Sequence, residues 1–205
     1  MTRSRPFTWI AAAIFALMAL AHIYRLITHF QIVVGSHSIP EWVSIAAIVV
    51  TAFLIGLGFG SLIGGELSKS AQRLLVWFGI IELSVAAYGS ISVQLFRAVG
   101  DLAAAWPAVL AQAASFVLVL APTLLMGATL PLLVAYAVRV SGNVGRSVGW
   151  LYFVNTAGSA IAAISTALFV LGHFGERGSV WLAALVNASV GTFVLTRHRH
   201  PGQSS

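Results

Sequence analysis

Apolar residues fill this chain in long runs, and short polar stretches separate them. The runs show no strict alternation, so they do not read as half-buried strands. Several exceed the roughly 20 helical residues needed to cross a hydrocarbon core of about 30 Å. In lipid a helix satisfies its own backbone, whereas an open sheet leaves its edges unpaired. The pattern therefore predicts an all-α, polytopic membrane helix bundle. Six transmembrane helices are expected, over Phe7–Val34, Trp42–Gly64, Leu74–Phe96, Ala104–Val138, Val148–Leu171 and Val180–Thr196. Residues 1–200 form a single transmembrane domain, and Pro201–Ser205 a short polar tail.

Composition sharpens that picture. The 205 residues are 59% hydrophobic and 8% charged, against about 25% charged in soluble domains. Too little polar surface remains to face water. Trp9, Trp42, Trp77, Trp106, Trp150, Tyr152 and Trp181 lie near the ends of apolar runs, where amphipathic rings favour the headgroup region.

The net charge of +6 admits a nucleic-acid partner until its placement is considered. Arg3 and Arg5 precede the first run, Lys69 and Arg73 lie between the second and third, Arg139 and Arg146 between the fourth and fifth, and Arg197 and Arg199 after the sixth. The opposite loops hold only Arg97 and Arg177, beside Glu41, Asp101 and Glu176. Basic loops stay in the cytoplasm, so both termini are predicted there and no nucleic acid is expected. The fourth run is long for one span and short for two. One helix kinked at Pro122 and Pro131 keeps every basic loop on one side, since each proline removes a helix hydrogen bond. The N-terminus imitates a signal peptide, with Ala19-Leu20-Ala21 as a cleavage-like site. The apolar text continues past Ala21, so this stretch reads as the first span. The chain has no cysteine, so disulfides and thiolate metal sites are excluded.

Gly56, Gly60 and Gly64 fall four apart on one helix face. Gly145 and Gly149 repeat the spacing, and Gly158 with Ala162 continues it. Small residues so placed let backbones approach closely in lipid. They serve either packing within the chain or a homodimer seam.

Two stretches carry a family resemblance. Pro122-Thr-Leu-Leu-Met-Gly-Ala-Thr-Leu-Pro131 and Gly145-Arg-Ser-Val-Gly-Trp-Leu-Tyr-Phe-Val-Asn155-Thr-Ala-Gly158 resemble the membrane domain fused to many bacterial spermidine synthase-like proteins. Ala21-His-Ile-Tyr24, Gly56–Gly65 and Ile81–Gly89 add weaker support. That domain in turn resembles one half of a major facilitator transporter, through the loop from Gly60 to Arg73 and through Gly145-Arg146. Glu66 and Ser68 depart from the facilitator loop, which speaks against a working gate. Arg25 stands where family members often carry an acid. The resemblance implies a multi-pass protein of a bacterial inner membrane. No residues of the tail after Arg199 read as the aminopropyltransferase domain, so the anchor or partner half of such a system is expected rather than the enzyme.

Ionisable groups inside apolar runs are costly and are functional candidates. Arg25 lies about 27 Å along the helix from Phe7, at about 1.5 Å per residue. Its head either snorkels to the interface or joins His22 and His29, on the same helix face, in a basic cup with His37 nearby. Such a cup suits an anion, a quinone headgroup or an acidic partner. No metal site or cofactor is expected, because no carboxylate or cysteine completes a ligand set around these histidines. Glu82 lies about 12 Å in from Leu74, either hydrogen-bonded to a neighbour such as Asn155 or Tyr88, or coupled to a proton or cation. Asn155, Thr156, Gln112 and Asn187 read as hydrogen bonds between helices. Three functions follow. The first is a non-catalytic membrane subunit packed against a membrane-protein partner or enzyme, with a small or lipid-like ligand. The second is a half-transporter working as a dimer. The third, a polyamine enzyme, lacks a nucleotide-binding segment here.

Overall fold

The computed structural model describes residues 6–71 and 73–198. Arg3, Arg5, Arg199 and the tail 201–205 lie outside them. The chain forms two compact units, Met1–Gly56 with Phe96–Thr123, and Leu57–Leu95 with Leu124–Ser205.

The first unit holds α1 (Pro6–Thr28), a hairpin of β1 (Ile32–Val34) and β2 (His37–Ile39), and the first half of α2 (Trp42–Ser70). The hairpin corrects the expected first span, which ran helically to Val34. His29 leaves the helix at φ 51°, and three β-branched residues then favour extended backbone. Ile32 pairs with Ile39 and Val34 with His37, leaving a two-residue turn that opens on Gly35 at φ 63°. Glycine in the first turn position suits a II′ hairpin, whose twist matches its strands.

The second unit is built on close backbone contacts. The later half of α2 packs on the later half of α4 (Ala108–Ser141) through Gly60, Gly64, Gly127 and Ala128. A methyl group added at Gly64 would lie 2.7 Å from the Ala128 Cα, and one at Gly127 would lie 2.8 Å from the Leu57 Cα. Elsewhere α3 (Leu74–Ala103) meets α6 (Leu171–His198) through Gly79 and Gly191. Ala71, Leu74, Ile81, Ala128 and Leu132 form the core of this unit. Arg139 donates to the Ser68 carbonyl at 2.7 Å and to the Ala71 carbonyl at 2.9 Å. It thereby satisfies carbonyls that the end of α2 leaves without helical partners.

The fourth apolar run is one helix, beginning at Ala108 rather than Ala104. The second and third spans run past their expected ends, to Ser70 and Ala103. Glu66 and Lys69 pair at 2.6 Å one turn apart on that extension. Asn143 caps α5 (Val144–Ser165), its Oδ1 accepting from the Arg146 N–H at 2.9 Å. A π-helical segment, Thr166–Val170, leads directly into α6. The loop expected between Leu171 and Val180 is reduced to one residue, Gly175, at φ 64° and ψ −174°. That conformation is essentially confined to glycine.

Among the described residues, four helical segments are long and apolar enough to cross a membrane: Trp42–Ser70, Leu74–Ala103, Val109–Ser141 and Val144–Arg197. Described α1 adds a shorter apolar helix, Ala13–Thr28. The glycines of α5 behave unlike those of α2. A methyl group at Gly149 or Gly158 would meet nothing within 4 Å, and one at Gly145 only Asn143 Oδ1 at 3.8 Å. Packing within the described chain therefore does not use them.

Candidate functional site

The end of α1 brings His22 and Arg25 onto one face, and His29 follows just past the helix end. The hairpin and the start of α2 then close over Arg25. Its side chain is 3% exposed. Nε donates to the Phe30 carbonyl at 3.1 Å, one terminal nitrogen to Ser44 Oγ at 2.8 Å, and the other to the Ile39 carbonyl. Three groups of the guanidinium fork are thus spent on the chain itself. His22 Nδ1 lies 3.1 Å from the same Ser44 Oγ. His29 is exposed and pairs with Glu41 at 2.9 Å. The open basic cup is corrected on this point. Arg25 neither snorkels outward nor faces a vacant bowl, because the chain reverses at residues 29–41 and offers carbonyls to it.

Ser44 was not singled out from sequence. It is fully buried, two residues into α2, where its hydroxyl serves both His22 and Arg25. A serine two residues after Trp42 is an ordinary helix-start residue, so only the fold marks it. The cluster is structural chemistry: it staples α1, the hairpin and α2 together.

Glu82 sits on the face of α3 that meets α6. A methyl group at Gly191 would lie 3.2 Å from its Cβ. The side chain is partly buried, and among the described residues its carboxylate forms no ion pair. Asn155 does not reach it. Asn155 is exposed on α5, between the exposed side chains of Val154 and Thr156. Gly158, one turn on, leaves its own face open. The two polar residues expected to meet are therefore separate features. His22 stands beside the Ser44 hydroxyl, but that hydroxyl is fully buried and also accepts from Arg25.

These elements define a helical protein with several segments capable of spanning a bilayer. In sequence it is distantly related to polyamine aminopropyltransferases. It is 27% identical over 186 residues to polyamine aminopropyltransferase 2 of Streptomyces coelicolor, covering 89% of this chain and 32% of that protein. It is 26% identical over 162 residues to the polyamine aminopropyltransferase of Oceanobacillus iheyensis, covering 78% of this chain and 30% of that one. The chain spans about a third of the length of the curated relatives it matches. No family model matches the sequence, and no solved structure matches it.

Proposed function

We propose that this chain is a non-catalytic membrane module that packs against a partner protein or enzyme in the bilayer. Asn155 carries the reading. Its amide is exposed on α5, in a run whose most apolar stretch has no buried residue. Tyr152, one turn before it on the same face, is exposed as well. An amide on such a surface gains from a partner in lipid, where a hydrogen bond between helices is worth about 0.6–2 kcal/mol. Gly158 beside it leaves room for a second backbone. The names of the relatives make an aminopropyltransferase our preferred partner. We read Val144–Arg197 as two crossings hinged at Gly175. With α1 to α4 this makes six spans, as in half of a major facilitator protein, with both ends on the cytoplasmic face of a bacterial inner membrane.

The absence of native cysteine makes the test direct. Asn155→Cys should resist a membrane-permeant maleimide in native membranes and react readily after purification in detergent. Equal labelling in both states would reject the docked helix.

Glu82 favours a second reading, a half-transporter that works as a dimer. A carboxyl group inside a membrane segment, without an ion-pair partner among the described residues, is a candidate for proton coupling. On that reading Glu82→Gln abolishes pH-driven uptake in proteoliposomes while the protein stays folded. Uptake at the original rate would remove the coupling role.

A further inference from the structure

A cavity of about 830 Å³ opens where α4 ends and α5 begins. That size falls within the roughly 300–1,000 Å³ of small-molecule sites. Its walls are apolar and aromatic. Tyr136 and Val140 contribute from α4, and Trp150 and Phe153 from α5. The last two rings stand 5.8 Å apart, tilted by 32°. Gly149 forms part of the wall, and nothing lies within 4 Å of where its side chain would begin. Water gains little from such walls, whereas a hydrocarbon chain fills them at no cost in hydrogen bonds.

One end of the cavity has a different character. Arg146 lines it, together with Ser141 and Ser147, whose hydroxyls bond each other at 2.8 Å. The two arginines of this region differ. Arg139 spends its donors on the end of α2. Arg146 is exposed, and among the described residues its guanidinium has neither an ion pair nor a hydrogen bond. Between Asp101 and Glu176 the sequence contains no acidic residue, so the walls supply no counter-charge. The first turn of α5 adds the positive end of its dipole. An arginine fork of this kind matches a phosphate in geometry as well as charge.

We propose that this cavity binds an anionic phospholipid, its phosphate on Arg146 and its acyl chain along Val140, Trp150 and Phe153. The apolar walls and the unpaired cation each select half of that molecule. Phosphatidylcholine carries the same chains without the net charge, and inorganic phosphate carries the charge without the chains. Basic pockets beside membrane helices recognise anionic headgroups through this combination.

Native mass spectrometry of the full chain, released from detergent with equimolar phosphatidylglycerol and phosphatidylcholine of matched chains, tests the assignment. The wild-type protein should retain phosphatidylglycerol in preference. Arg146→Gln should cut that preference about tenfold, the change that 1.4 kcal/mol represents, and Arg146→Lys should restore part of it. Gly149→Leu, placed in open space, should plug the cavity and lower retention of both lipids. Arg97→Gln, outside the cavity, should change nothing. An unaltered preference in Arg146→Gln would overturn the proposal. So would displacement of the lipid by inorganic phosphate at equal concentration, or full retention in Gly149→Leu.

Discussion

Arg25→Ala should lower the temperature at which the first unit unfolds. The guanidinium is buried and donates to Phe30, Ile39 and Ser44. Its removal takes this donor from the Phe30 and Ile39 carbonyls and leaves Ser44 Oγ to His22 alone. Each unsatisfied buried group costs about 1–3 kcal/mol. The costs overlap, because the hairpin relaxes once its staple is gone, so a total of about 3 kcal/mol is expected. Arg25→Lys keeps the charge and loses the fork, and should recover less than half of the difference. Detergent melting curves and limited proteolysis give two readouts. The melting temperature should fall, and nicking should concentrate at residues 29–41. A variant as stable and as resistant as the parent would show that the carbonyls find other donors and that the staple is dispensable.

Gly64→Val is the second change of large effect. The added Cβ would lie 2.7 Å from the Ala128 Cα, and backbone cannot rotate out of the way as a side chain can. The two helices must separate, and the core of Ala71, Leu74, Ile81, Ala128 and Leu132 opens with them. Overpacking commonly costs about 1–3 kcal/mol, and a backbone obstacle belongs at the upper end. Gly65→Ala is the matched control, since a side chain there meets nothing within 4 Å. It should be neutral or gain up to about 1 kcal/mol from helix propensity. Thermal aggregation of the two variants in the same detergent compares them. Equal midpoints would mean that α2 and α4 do not depend on this contact.

The glycine patterns show how far spacing can be read. Gly60 and Gly64 stand four apart and do bring two helices together. Gly145 and Gly149 stand four apart as well, and their helix face is open. The difference lies in a partner: Gly127 and Ala128 on α4 supply a complementary flat surface, and α5 has no such neighbour among the described residues. Gly79 and Gly191 are each isolated in sequence, and only their meeting across α3 and α6 reveals the contact. Arg25 stands out in the sequence as a charge inside an apolar run, but its partners do not. A helix carried on to Val34 would have held Phe30 and Ile39 away from it, and a free basic cup would have followed.

Local chemistry was enough to establish a helical chain suited to lipid, because apolar run length and the scarcity of charge depend on no other part of the molecule. It also marked Arg25, Glu82 and Asn155 as polar groups out of place. The fold alone decided that Arg25 is stapled inward, that Glu82 lies beside Gly191, that Asn155 faces outward, and that one glycine replaces a whole loop. Those outcomes depend on which distant residues arrive at the same place, and backbone carbonyls, the partners that matter most here, look alike in every residue of a sequence.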